Sequence, residues 1–168
     1  MIMAKKNIVK KSINIRKKRI FLVVADNTSE MHQALYYASR RAATANGELA
    51  IFRCIEPPEG QLWSGVSKIM EAEAEQSSKK LLNDLSSYCE KLGANKPKLY
   101  LKKGNTSEEL IKLINNEALI TVLVLGASTE TGNPGPIINY VMNASNECRI
   151  PITIVPGNLS DEQIDSLI

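Results

Sequence analysis

Residues 20–35 read IFLVVADNTSEMHQAL, and the change of pattern inside this stretch decides the fold. Ile20 to Ala25 is a continuous apolar run of strand length, the signature of a parallel strand covered on both faces. A helix start follows at once. Asn27 and Glu30 have the spacing of a capping box, and Met31, Ala34, Leu35, Ala38, Ala42 and Ala45 then recur at helical spacing until Gly47 supplies a stop.

Further along, Leu49 to Ile55 reads as a second strand ended by Pro57 and Pro58, and Glu59 to Ser67 as a loop holding the only tryptophan, Trp63. A long helix with the stripe Leu81, Leu82, Leu85, Tyr88, Cys89 and Leu92 comes next and ends at Gly93. Lys98 to Lys102 alternates lysine with Leu and Tyr, which suits an edge strand guarded by charge. Gly104 ends it. Thr106 and Glu109 have the form of a second capping box, opening a short helix that turns Leu110, Ile111, Leu113 and Ile114 inward. Leu119 to Leu125 is another buried strand. It runs into the irregular segment Gly126 to Pro136, after which Pro136 starts a helix reaching about Glu147. Ile150 to Val155 is the last strand, and Ser160 with Gln163 can cap one more turn.

Five strands alternating with four helices predict one α/β domain, a mainly parallel five-stranded sheet with helices on both faces. Ligands of such sheets collect beyond the strand carboxyl ends where the strand order reverses. That places the expected crevice between Ala25 to Ser29 and Gly126 to Gly135.

Composition agrees with a folded domain. The chain has 168 residues, 43% hydrophobic and 23% charged, and no apolar run long enough to span a membrane. The net charge of +3 hides an asymmetry: residues 1–19 carry eight basic and no acidic side chains, leaving thirteen basic against eighteen acidic from Ile20 onward. Residues 1–18 are therefore expected to be a disordered basic tail, able to contact polyanions weakly, in front of a domain over 19–157 and a C-terminal tail over 158–168. The tail lacks the apolar core of a signal peptide, which argues for a cytoplasmic protein. Cys54, Cys89 and Cys148 are widely spaced with no CxxC, and His32 is the single histidine, so reduced core thiols in a reducing compartment are expected and no metal site.

Few motifs carry chemistry. Gly60 and Gly65 have P-loop spacing, but the next residues are Val66 and Ser67, so the lysine that reaches the phosphates is missing, and no GxGxxG follows a strand. Of Glu71, Glu73 and Glu75 only Glu71 and Glu75 share a helix face, and nothing in sequence ties a nucleophile to His32. The segment GASTETGNPGP, residues 126–136, is the strongest feature: a strand meets a helix N-terminus through three glycines, where backbone N–H groups favour an anion and Glu130 opposes one.

Over residues 19–157 these features resemble the universal stress protein family. VVADNTSEMHQAL carries Asp26 at a strand end and the pair Ala34-Leu35, and VLVLGAS followed by a helix and IPITIVPG is similar to that family's closing elements, with Pro151 leading the last strand. The resemblance implies an adenine-nucleotide α-hydrolase-like, Rossmann-like fold and a homodimer formed through the last strand by Ile152, Ile154 and Val155. It also implies nucleotide-binding candidates at Ala25, Asp26, Asn27, Gly126, Ala127, Ser128, Gly132, Gly135 and Asn139. ATP-binding members carry Gly-x2-Gly-x9-Gly followed by Ser or Thr. Here Gly126 matches the first glycine, but Thr129, Asn139 and Tyr140 fall on the other three positions. The expectation is a non-enzymatic cytoplasmic stress-response protein, without catalytic or metal residues, that senses a nucleotide or metabolite in the crevice and binds ATP weakly or not at all. The alternative is an ATP-binding member with weak nucleotide hydrolysis, in which Gly132 and Gly135 form a re-registered phosphate loop. A Mg²⁺ enzyme built on Asp26 alone lacks a second carboxylate and the P-loop lysine.

Overall fold

A computed structural model describes residues 18–58 and 64–168. The basic segment up to residue 17, and Glu59 to Trp63 of the expected loop, lie outside the described residues. The elements in chain order are β1 Ile20–Val24, α1 Met31–Thr44, β2 Glu48–Ile55, α2 Ser64–Lys91, β3 Lys98–Lys103, α3 Thr106–Asn116, β4 Ile120–Ala127, α4 Pro136–Asn143, β5 Ile152–Pro156 and α5 Asp161–Asp165. The sheet order is β3-β2-β1-β4-β5, and every strand pair is parallel. Chain order therefore reverses between β1 and β4, with β3 and β5 at the two edges.

The alternation of β1 explains the two-sided burial. Ile20, Leu22 and Val24 join Phe52, Leu110, Ile114, Leu123, Ile137 and Val141 in one core beneath α3 and α4. Phe21, Val23 and Ala25 join Leu35, Ala38, Ile51, Leu82, Cys89 and Ile164 in the other, beneath α1, α2 and α5. Each fully buried Leu, Ile or Phe contributes about 1.5–3 kcal/mol, so both faces of β1 are committed to the fold.

Several local expectations shift for identifiable reasons. No capping box opens α1: its N-cap is Glu30, in helical conformation and without a side-chain cap. The preceding turn is organised instead by Asp26, whose Oδ1 accepts from the Thr28 N–H at 3.1 Å and the Thr28 hydroxyl at 2.5 Å. This is the Asx-type turn by which aspartate competes with helix capping. At the other end of α1, Asn46 rather than Gly47 takes the left-handed conformation, with φ 49°. Gly47 serves close approach, since a Cβ there would lie 2.9 Å from the Arg19 carbonyl oxygen. The α3 cap is one residue early: Asn105 accepts from the Glu108 N–H at 3.1 Å, displacing the expected Thr106 and Glu109 pair.

Helix α2 begins at Ser64, inside the segment read as loop, and its first turns expose Val66, Ile69 and Met70. With no inward stripe before Leu81, periodicity could not reveal that start. Helix α4 stops at Asn143, short of Glu147, and β5 begins at Ile152 rather than Ile150. Residues 158–168 contain α5, whose Ser160 and Gln163 form the expected reciprocal capping box. It docks on α1 through buried Ile164, the Tyr36 hydroxyl donating to Asp165 at 3.1 Å, and the Arg40 guanidinium 2.9 Å from the same carboxylate. All three cysteines are free, but only Cys89 is a core thiol, and burial pushes its pKa up to about 11. Cys54 and Cys148 are half-buried against the core.

Candidate ligand site

The site begins where β1 and β2 end. Arg53 is the one charged side chain within the run Leu49 to Ile55, and it reaches across to β1. Its Nη1 donates to the Ala25 carbonyl at 2.9 Å and to Asn27 Oδ1 at 3.0 Å, while Nε lies 3.5 Å from the hydroxyl of buried Ser78 on α2. The guanidinium thus fixes the loop after β1 that carries three of the expected site residues. Beyond Arg53, the Glu56 carboxylate accepts from the Thr106 N–H at 3.1 Å. That hydrogen bonding to Thr106, side chain and backbone, holds the Glu56 carboxyl below its usual range. The Cys54 thiol donates to the Gly104 carbonyl at 3.3 Å, and burial raises its pKa.

These groups enclose an opening of about 530 Å³ whose polar lining includes Asn27, Arg53, Ser77, Ser78, Thr106 and Ser107. Its volume is that of an ordinary small-molecule site. Ala25 and Asp26 also line it, and it runs from the end of β2 past β1 to Pro136 and Ile137 at the start of α4.

The side toward β4, where the crevice was expected, is nearly shut. Asp26, Gly126 and Gly135 do meet there, around a space of only about 20 Å³. Gly126 is covered by the α1 turn: a Cβ at this position would sit 2.3 Å from the Glu30 carbonyl oxygen. The loop beyond it pairs several of its own donors. The Ser128 N–H donates to the Pro134 carbonyl at 3.0 Å, the Glu130 N–H to the Ser128 hydroxyl at 3.2 Å, and the Gly135 N–H to Asn133 Oδ1 at 3.3 Å. The Asn133 N–H bonds the Glu130 carbonyl at 3.3 Å, and the Asn133 side-chain amide donates to the Glu130 carboxylate at 3.2 Å. A phosphate would find these amides already paired and a carboxylate beside them. Ala127, Ser128, Gly132 and Asn139 line neither space. Gly132 and Gly135 have φ of 78° and 116°, as a turn requires, with Gly135 the N-cap of α4.

The residues that sequence reasoning missed are Arg53, Ser77, Ser78, Thr106 and Ser107. The available signal was Arg53 itself, a charge placed inside an otherwise apolar strand. Among the described residues no group of three His, Cys, Asp or Glu side chains is placed to hold a metal ion. His32 stands elsewhere on α1, 3.6 Å from Asp161 and beside the rings of Tyr36 and Tyr88.

Residues 18–156 match the model of the universal stress protein family. The chain belongs to that family. Among solved universal stress proteins, UspA from Lactobacillus plantarum is 13% identical with a TM-score of 0.68, the match covering 82% of this chain and 97% of that one. A universal stress protein from Archaeoglobus fulgidus, solved in complex with dAMP, is 15% identical with a TM-score of 0.59, covering 82% and 97%. Another, solved in complex with cAMP, is 16% identical with a TM-score of 0.61, covering 84% and 98%. At such identities the likeness is one of fold, the Rossmann-like fold of universal stress proteins. No curated protein matches the sequence.

Proposed function

We propose that this universal stress protein is a non-enzymatic cytoplasmic stress-response protein that acts as a homodimer. It senses a nucleotide with at most one phosphate, or a metabolite of similar size, in the crevice beside Arg53. The observation that carries this reading is the contrast between the two regions beside β1. Between the ends of β1 and β2, α2, α3 and the start of α4 lies an open, hydroxyl-lined space of about 530 Å³, and against β4 a glycine segment in which the amides of Ser128, Glu130, Asn133 and Gly135 are bonded within its own turn. Solved relatives in complex with cAMP and dAMP support a nucleotide of that size. The non-enzymatic part is supported by Asp26, engaged by Thr28, and by His32, which does not line the crevice.

The reading is tested by denaturing the purified protein and identifying released small molecules by mass spectrometry. A nucleotide with one phosphate, or a small metabolite, is the expected ligand. Stoichiometric ATP would overturn the reading.

The homodimer is proposed through β5, at an edge of the sheet. Ile154 is 42% exposed there and Ile152 is half-buried, whereas Val155 is 2% exposed and packs in the core, so its side chain does not face a partner. The edge also ends in Pro156, which lacks an N–H to donate.

The basic segment before Lys18 carries six lysine and arginine side chains. Each is worth about 1 kcal/mol at most near an anionic surface and is screened beyond roughly 10 Å, so we propose weak, salt-sensitive contact with polyanions. Deleting residues 1–17 is expected to leave the melting temperature unchanged within about 2 °C while abolishing low-salt retention on heparin. A large loss of melting temperature would show instead that the segment packs on the domain.

A further inference from the structure

The crevice does not end at Arg53. A second opening of about 400 Å³ lies against it, sharing Ile55, Glu56 and Ala74 as common wall. Pro57, Pro58 and Met70 make this outer lobe largely apolar, with Glu71, Lys103 and Gly104 completing it. Lys103 is occupied by Glu75 at 2.9 Å. One cleft therefore has an apolar lobe and a polar lobe.

The polar lobe holds a cation that forms an ion pair with no carboxylate among the described residues. Among the described residues Arg53 makes no salt bridge, and its three hydrogen-bond acceptors are the neutral Ala25 carbonyl, Asn27 amide and Ser78 hydroxyl. Its Nη2 makes no hydrogen bond within this set. A half-buried guanidinium held only by neutral acceptors has lost part of its hydration, and a planar anion offers the paired acceptors that suit its geometry.

The carboxylates of the same wall set the limit on charge. Asp26 is bonded to Thr28, and Glu56 to the Thr106 N–H at the start of α3. Two carboxylates thus share the lobe with Arg53, so a second negative charge on the ligand would be repelled where a first is held by Arg53.

We propose that the two lobes form one bipartite site for an amphipathic monoanion, with its anionic head on Arg53 and its apolar body between Pro57, Met70 and Ala74. The proposal rests on reading the crevice as a ligand site and narrows that reading to a chemical class.

The test is a calorimetric titration of the full chain with octanoate, octanol, octylammonium and acetate, with cAMP titrated in parallel. Octanoate is expected to bind at least about tenfold tighter than each of the other three aliphatic probes. R53Q is expected to reduce octanoate to the affinity of octanol, and R53K to keep most of the preference. Octanol or octylammonium binding as tightly as octanoate would overturn the role of Arg53. Acetate binding as tightly would overturn the apolar lobe, and failure of octanoate to bind would overturn the whole proposal. These outcomes are read on the unaltered protein and do not depend on whether R53Q folds. The cAMP titration reports the nucleotide reading separately: cAMP binding without octanoate binding sinks this proposal alone.

Discussion

G126A is expected to lower the melting temperature by roughly 6–12 °C, although it adds a single methyl group. The added Cβ would lie 2.3 Å from the Glu30 carbonyl oxygen and 2.7 Å from its carbon. Those are backbone atoms of the turn entering α1, which cannot rotate aside as a flexible side chain would. Overpacking of this kind costs about 1–3 kcal/mol, and backbone displacement puts the expected value near the upper end, about 3 kcal/mol. At this chain length each kcal/mol moves the melting temperature by roughly 2–4 °C. G65A is the control: a Cβ at Gly65 meets nothing within 4 Å, so this variant should be neutral or more stable. A scanning-calorimetry result in which G126A melts with the unaltered protein would mean that the Glu30 turn is not seated on β4, and that Gly126 is open to a ligand.

The second large effect concerns β5. In a twofold dimer each substitution acts twice, and Ile154 has only its 42% exposure left to bury of the roughly 1.5–3 kcal/mol of a whole isoleucine, so I154K is expected to weaken association by about 1–3 kcal/mol. That corresponds to roughly a fivefold to hundredfold rise in dissociation constant. Sedimentation equilibrium at tens of micromolar should show the unaltered chain as a dimer and I154K shifted toward monomer with a nearly unchanged melting temperature. Ile152 is a poorer probe because it also packs against the core beneath α4. A dimer that I154K does not weaken would place the interface elsewhere.

The framework of the molecule was legible where burial imposes a period. Ile20 to Ala25 is apolar because both faces of β1 are covered, and Ala34, Leu35, Ala38 and Ala42 recur because one face of α1 lies on the sheet. Val66, Ile69 and Met70 follow no inward stripe, so nothing in the pattern marked the start of α2. Caps were displaced because several polar side chains compete for the same N–H groups: Asp26 closes its own turn, and Asn105 outcompetes Thr106. In the site, Ala25, Asp26 and Asn27 were legible from the strand end alone. Arg53 was visible as a charge in an apolar strand, but its role was not, because that role lies in its reach across to Ala25 and Asn27 rather than in its place in β2. The glycine segment was the least legible feature. Its composition is that of an anion-binding turn, while the acceptors that pair several of its amides, the Ser128 hydroxyl, Asn133 Oδ1 and the Pro134 carbonyl, depend on a loop geometry that composition does not state.

The most direct test of the account is the melting temperature in the presence of millimolar Mg-ATP. A ligand at 100 times its dissociation constant stabilises a fold by about 2.7 kcal/mol, which at this size is roughly 5–11 °C. A closed phosphate side, with Gly126 beneath the Glu30 turn and the amides of Ser128, Glu130 and Gly135 already paired, predicts a shift well below that range. A shift of roughly 5–11 °C, as for a ten-micromolar site, would show that Gly132 and Gly135 re-form as a phosphate loop and would contradict it.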